Sequence, residues 1–175
     1  STQVAALTTA QVPSLLTTQV QALETNDIAA LSAEQISTMG TDQIAILSTE
    51  QIGALSPSQF AGFSSEQIQV IDSSKVPSLT TDKLQALGTA LITALTTNQV
   101  IALETSQFAS LLETQVPGLT TEQVRSLSSA DLQVLSSSQI NALSSTQPEA
   151  LSTAQVKNIG TVALNLAMRQ KHTTR

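Results

Sequence analysis

The sequence has no cysteine, tryptophan or tyrosine, and aromatic residues make up only 2% of its 175 residues. Without cysteine, neither a disulfide nor a thiolate metal site is available. Apolar residues still account for 41% of the chain, so a core has to be built from Leu, Ile, Val and Ala. The absence of cysteine also suits an extracellular bacterial protein or a chain that unfolds for export.

Charged residues are scarce as well, at 11% of the chain against about a quarter in an average globular protein. Solubility therefore depends mainly on Ser, Thr and Gln. The formal net charge is −6, and it would be more negative without Arg169, Lys171 and Arg175. Nucleic acids and anionic membranes attract clustered Lys and Arg, so the sequence predicts neither as a partner. Ser or Thr interrupts every apolar run, which argues against a membrane-spanning segment of about 18 residues.

What the chain has is one unit of eight residues, an octad, repeated about twenty-one times without insertion or loss. In octad 48–55, Ser48 holds position 1, Gln51 position 4, Ile52 position 5 and Leu55 position 8. Position 8 is nearly always Leu, position 5 is Val, Ile, Leu or Phe in all octads but one, and position 4 is Gln in fifteen octads. So strict a period predicts a stack of units that rest on their neighbours.

Each octad predicts one short helix. Ser48 and Gln51 match a capping box, in which the hydroxyl accepts from the Gln N–H and the Gln amide reaches back to the cap. Acidic residues stand in the first turn, where the helix dipole favours negative charge. A continuous helix is excluded because eight residues advance it by about 800°, so the Leu positions would drift by about 80° per octad. A strand would place Ile52 and Leu55 on opposite faces.

Some octads depart from this pattern. Pro13, Pro77 and Pro117 fall at about the fifth helical position, where the missing N–H favours a bent or 3₁₀ helix. Pro148 replaces the aliphatic residue at position 5 and predicts a local defect. Residues 112–114 fit no cap pattern. In six octads, a weak cap at position 1 is followed by Thr, which predicts that the cap slides by one residue. These octads begin at Leu16, Glu24, Gly40, Gly88, Glu104 and Gly160.

We therefore predict an all-α solenoid, a superhelix of very short capped helices with one helix per octad and about three octads per coil. Gly40, Gly88 and Gly160 occupy position 1 at separations that are multiples of 24 residues, which favours three octads per coil over two, the rival arrangement. The solenoid is assigned to residues 1–167 and a basic tail to residues 168–175. Helices this short are unstable alone, so folding should be collective. The predicted core residues are Leu31, Ile36, Ile44, Leu47, Ile52, Leu55, Leu79, Leu95, Leu103, Leu119, Leu127, Leu135 and Leu143.

The sequence offers little catalytic chemistry. His172 is the only histidine and lies in the tail, which argues against a Ser-His-Asp triad or a His metal cluster. The carboxylates recur mostly at helix starts, and the glycines are isolated, so no phosphate-binding loop is predicted. We expect no enzyme activity, no cofactor and no metal site.

The position-4 glutamines allow two interpretations. In the first, they cap their own helices. In the second, their amides stack into an exposed ladder that binds a repetitive ligand such as a glycan. The Ser and Thr residues at position 1 likewise either cap helices or form a flat hydroxyl array that orders water.

The pattern Leu-Ser/Thr-x-x-Gln-Ile/Val-x-x-Leu resembles the octapeptide repeats of large bacterial secreted or surface proteins, over residues 1–167. The resemblance implies export and a spacer or binding role, and it transfers no functional residue. We expect a non-enzymatic rod or scaffold whose open ends can join head to tail, with protein as its partner. The alternative is a secreted effector or adhesin segment that binds a host macromolecule along a ridge formed by Arg125, Lys157, Ile101, Ile46 and Val70.

Overall fold

The computed structural model describes residues 2–159, so the last octad with the weak cap Gly160, the predicted tail and His172 lie outside the described residues. The described part forms short helices separated by sharp corners and contains no strand, which confirms the all-α prediction. The α-helices are α1 Thr2–Ala5, α2 Thr17–Gln21, α3 Thr25–Ala30, α4 Ala33–Ser37, α5 Thr41–Ala45, α6 Thr49–Ala54, α7 Pro57–Ala61, α8 Ser65–Gln69, α9 Thr81–Ala86, α10 Thr89–Ala94, α11 Thr97–Ile101, α12 Thr105–Ala109, α13 Thr121–Ser126, α14 Ser129–Gln133, α15 Ser137–Asn141 and α16 Thr153–Ile159.

Four octads form 3₁₀ helices instead. Each contains a proline, which lacks the N–H that a regular α-helix would use at that place. This confirms the prediction for Pro13, Pro77 and Pro117, and Pro148 begins the fourth such helix. The 3₁₀ helices are Val12–Ser14, Ser73–Ser78, Val116–Gly118 and Pro148–Ala150.

Octad 48–55 shows how one unit folds. Ser48 has an extended backbone, and its Oγ accepts a hydrogen bond of 3.2 Å from the Gln51 N–H. The Ser48 N–H donates to Gln51 Oε1 over 2.8 Å, which completes the capping box. The helix ends at Leu55, where the backbone becomes extended again with φ −60° and ψ 137°. The corner between two helices therefore consists of position 8 followed by position 1.

The predicted sliding of the weak caps is wrong. The helices still begin at position 2, although the position-1 side chains make no cap bond. The Leu16 N–H donates to Gln19 Oε1 over 2.8 Å, and the Leu112 N–H donates to Gln115 Oε1 over 2.8 Å. The position-4 side chain thus caps the helix at Leu16 and Leu112, whereas at Gly88, where position 4 is Leu91, the helix begins at position 2 without such a bond. The residues that remain N-caps are Leu16, Glu24, Gly40, Gly88 and Glu104.

The helices wind into a solenoid with a little more than three octads per coil. Helices in contact are three octads apart, as in the pairs α3 with α6, α4 with α7 and α7 with α9. Side-chain hydrogen bonds from position 4 reach back 28 and 31 residues, into the fourth octad before. Contacts at both separations show that a coil closes between three and four octads, and they exclude a coil of two octads among the described residues.

Positions 5 and 8 of successive octads point inward and form one continuous core. Ile52 and Leu55 are 0% and 1% exposed. Phe60 and Phe63 pack edge to face there, with ring centroids 5.1 Å apart. All the predicted core residues are buried except Leu143, which is partly exposed because it belongs to the last coil of the described residues.

Position 7 faces position 2 of the octad three units earlier, at close range. A Cβ on Gly118 would lie 2.7 Å from Thr89 Cγ2 and 2.8 Å from the Thr89 carbonyl oxygen. A Cβ on Gly62 would lie 3.1 Å from the Ala33 carbonyl oxygen. This spacing explains why small residues predominate at position 7.

Replacing Gly118 with alanine should therefore separate two coils. We expect Gly118→Ala to lower the free energy of unfolding by about 1–3 kcal/mol, because the new methyl group overlaps backbone that cannot move freely. Gly53→Ala is the matched control, since a Cβ there meets no atom within 4 Å. It should raise stability by about 0.5–1 kcal/mol through helix propensity. Urea unfolding followed by circular dichroism measures both, and equal effects would contradict the close-packing explanation.

Candidate functional site

The most distinctive feature of the solenoid is its glutamine column, by which we mean the side chains at position 4 of each octad. Gln51 is 4% exposed. Its Oε1 accepts from the N–H of its own cap, and its Nε2 donates to the Val20 carbonyl over 3.0 Å and to the Leu23 carbonyl over 2.8 Å. One side chain therefore caps its own helix and binds the backbone of the coil before.

The same arrangement repeats through the structure. In nearly every case the cross-coil acceptors are the carbonyls at positions 5 and 8 of the fourth octad before. The position-5 carbonyl already accepts the backbone N–H of position 8 in its own octad, as Val20 does from Leu23 over 3.2 Å, and the glutamine adds a second donor to it. The position-8 carbonyl lies in the corner after the helix. The buried glutamines with this cross-coil donation are Gln35, Gln43, Gln51, Gln59, Gln67, Gln99, Gln107, Gln115, Gln123, Gln139, Gln147 and Gln155.

An amide suits this position because it carries an acceptor oxygen and a donor nitrogen on one planar group. The oxygen satisfies the cap of one coil while the nitrogen satisfies the carbonyls of another. Among the described residues, no buried side-chain nitrogen or oxygen lacks a hydrogen-bond partner. The column therefore provides buried polar bonds along the core without an unsatisfied group.

These contacts decide between the two interpretations of the glutamines. The capping interpretation describes what the amide oxygens do, whereas the exposed ladder is wrong because the amides are buried and fully bonded. The cross-coil donation was not predicted from the sequence. A signal for it was present, since Gln persists after weak caps such as Leu16, Gly40 and Leu112, where a capping box alone would not require it.

The glutamines of the first coil differ from the others. Gln11 and Gln19 are exposed, and their Oε1 atoms accept from the cap N–H groups of Thr8 and Leu16 over 2.8 Å. Their Nε2 atoms make no hydrogen bond with the described residues. Gln11 and Gln19 therefore make the cap bond of the glutamine column without its cross-coil bonds.

The carboxylates of the first turn behave as predicted for helix starts. The backbone N–H of Glu50 and then the Ser48 hydroxyl lower the pKa of the Glu50 carboxyl. The backbone N–H of Glu66 and then the Ser64 hydroxyl lower the pKa of Glu66 in the same way. The described residues contain no group of three His, Cys, Asp or Glu side chains that could hold a metal ion.

The predicted ridge residues divide into two groups. Arg125 and Lys157 are exposed, and Ile101 is 57% exposed. Ile46 and Val70, predicted as outward or edge residues, are partly buried, because position 7 turns toward the neighbouring coil and both side chains pack against the core. A shallow groove of about 440 Å³ lies near the first coils, lined partly by Pro13, Leu16, Gly40 and Asp42.

None of the helices in the described part of the chain is long and apolar enough to cross a bilayer. The short helices, the continuous core and the buried glutamine column together define an α-solenoid repeat protein.

Comparison with protein families supports this assignment. The ALTTAQ repeat family matches residues 20–57, 76–113 and 126–161, which is more than half of the sequence. The chain therefore belongs to the ALTTAQ repeat family. Neither a curated protein nor a solved structure matches it.

Proposed function

We propose that this repeat protein is a non-enzymatic, rod-like spacer or scaffold. The observation that supports the proposal is the cross-coil hydrogen bonding of the glutamine column, illustrated by Gln51 with the carbonyls of Val20 and Leu23. Most octads are bound to the preceding coil in the same way, so length can be changed by adding octads while the cross-section stays the same. The resemblance to octapeptide repeats of bacterial secreted or surface proteins supports placing this spacer outside the cell or on its surface.

A distance measurement tests the spacer function. The chain lacks cysteine, so Thr25→Cys and Ser137→Cys introduce two unique labelling sites at exposed positions. Deleting residues 96–119 removes three whole octads, and we expect the distance between the labels to shorten by about 8–10 Å, one spacing between packed helices. Deleting residues 96–115 is the control, because a loss of twenty residues breaks the octad register and should unfold the following coils. A broad or unchanged distance in the three-octad deletion would contradict a rigid spacer.

We propose further that the rod associates end to end through protein contacts with a second copy. The first coil supports this, because Gln11 and Gln19 present amide donors of the kind that bind carbonyls elsewhere in the column. Light scattering of the wild-type chain should show mass growing with concentration toward the millimolar range. Gln11→Ala/Gln19→Ala should reduce this growth, while Gln21→Ala, an exposed residue outside the column, should not. A wild-type chain that stays monomeric at millimolar concentration would exclude end-to-end growth.

The second candidate function is binding of a host macromolecule along the ridge, as in an effector or adhesin segment. The exposure of Ile101, at 57%, together with the exposed Arg125 and Lys157, favours this candidate. Replacing these three residues with serine should abolish retention on the surface of intact host cells and leave the helical circular dichroism signal unchanged. Unchanged retention would leave the spacer as the better supported function. The acidic net charge of −6 argues against nucleic acid as the bound macromolecule.

A further inference from the structure

The glutamine column is interrupted over one complete coil, in the three octads of residues 72–95. Position 4 is Lys75, Lys83 and Leu91 in these octads. A lysine ammonium has donors but no acceptor, and leucine has neither. The N–H groups of residues 72, 80 and 88 therefore find no acceptor at position 4. In all other described octads that begin between residues 8 and 152, the position-1 N–H donates to the position-4 side chain.

The cross-coil bonds are also reduced at this place. Lys75 Nζ donates to the Ala45 carbonyl over 3.0 Å, and Lys83 Nζ donates to the Gly53 carbonyl. Leu91 has no polar atom to donate. We call the contact between octads 40–63 and octads 72–95 the lysine interface. It has one cross-coil hydrogen bond from each of two position-4 side chains. A regular coil has three glutamines there, most of them with two bonds each.

The next interface along the chain is complete. Gln107, Gln115 and Gln123 each donate to two or more carbonyls of octads 72–95. Octads 72–95 are therefore bound more fully to the coil that follows than to the coil that precedes. Gln99, which donates to Ile68 and Ile71, is the glutamine that connects the two sides.

The lysine interface also contains a buried charge. Lys83 is only 4% exposed, and its ammonium lies 5.9 Å from the centroid of the Phe60 ring, a favourable cation–π contact that offsets part of the cost of burial. Burial lowers the pKa of Lys83, because the charged ammonium loses hydration there. A glutamine at this position would make the regular bonds without a buried charge.

We propose that the lysine interface divides the solenoid into two cooperative blocks, residues 2–71 and 72–159, and that the rod separates there first when it is stretched or partly denatured. In a linear array, a weak contact between neighbouring units uncouples the units on its two sides. The lysine interface is the place where the cap bonds and the cross-coil bonds are weakened together over a whole coil. This inference depends on the solenoid alone and holds whether or not the protein serves as a spacer.

Hydrogen exchange followed by mass spectrometry in increasing urea tests the division. In the wild-type chain we expect amides on the two sides of residue 71 to form two groups with different urea dependence, with exchange rates that differ by about tenfold or more. In Lys75→Gln/Lys83→Gln the two groups should merge, and exchange in the less protected block should slow by about tenfold. A single group in the wild-type chain would overturn the proposal.

Moving the lysines provides the sharper control. Gln107→Lys/Gln115→Lys/Gln123→Leu, made in the Lys75→Gln/Lys83→Gln/Leu91→Gln background, places the same interruption 32 residues later. We expect the boundary between the two exchange groups to move from residue 71 to about residue 103. A boundary that stays at residue 71, or that fails to disappear in the first variant, shows that the lysines do not cause the division. Should the transplanted variant not fold, the comparison of the wild type with the first variant decides the question.

Discussion

Gln51→Glu should strongly destabilise the solenoid. The carboxylate can still accept from the Ser48 N–H, but it has no donor for the carbonyls of Val20 and Leu23, which lie 3.0 and 2.8 Å from the native amide nitrogen. It also buries an unpaired negative charge beside two carbonyl oxygens. We expect the free energy of unfolding to fall by about 3–5 kcal/mol at neutral pH, as measured by urea unfolding.

The pH dependence of this variant identifies the cause. Burial beside carbonyl oxygens raises the folded-state pKa of the introduced carboxyl above its unfolded value of about 4.3. The folded state then binds more protons, so the lost stability returns as the pH falls from the folded pKa toward about 4.3. Gln51→Ala should cost about 2–4 kcal/mol, because it leaves buried backbone groups unpaired, and it should show no such recovery.

Gln19→Glu is the matched control for the same substitution. Gln19 is exposed and makes the cap bond alone, and a carboxylate in the first turn interacts favourably with the helix dipole. We expect a change within about 0.5 kcal/mol. Equal losses of unfolding free energy at residues 19 and 51 would show that the column stabilises the solenoid through its cap bonds and not through its cross-coil bonds.

Phe60→Ala should have the other large effect. Phe60 is fully buried, packs edge to face on Phe63 and lies beneath the Lys83 ammonium. Truncation removes the ring from the continuous core and leaves a cavity, so we expect a loss of about 3–5 kcal/mol. The urea midpoint measures it. Ile101→Ala, at a side chain that is 57% exposed, is the control and should change stability by less than about 0.5 kcal/mol.

The Phe60→Ala variant also tests whether the solenoid unfolds as one unit or as two blocks. Because each octad contacts only nearby octads, a cavity at Phe60 should affect residues 2–71 more than residues 72–159 if the lysine interface uncouples the blocks. Hydrogen exchange of the variant can measure this directly. A uniform loss of protection across both blocks would show that the solenoid unfolds as one unit.

Features within one octad could be predicted from the sequence. Ile52 and Leu55 are core residues because they are the apolar positions of a short helix, and Pro13 forms a 3₁₀ helix because it lacks an N–H. Features that join different coils could not be predicted in the same way. The bonds of Gln51 to Val20 and Leu23 depend on how many octads complete a coil, which no single octad specifies.

The wrong predictions have the same origin. The cap at Gly40 does not slide because its position-4 residue, Gln43, is held by the carbonyls of Val12 and Leu15 and not by the cap side chain. Ile46 and Val70 are partly buried because position 7 faces a neighbouring coil. In each case a contact between octads about 24 to 31 residues apart overrides what the local sequence favours.

The direction of the glutamine bonds has a consequence for how the chain acquires its structure. Every buried glutamine donates to carbonyls that precede it in the sequence, 28 to 31 residues earlier. During synthesis the acceptors therefore leave the ribosome before their donors, and each new octad meets a finished surface on which to fold. We expect protease resistance of ribosome-bound nascent chains to increase in steps of about one octad from the amino terminus, and resistance that appears only after release would contradict this order.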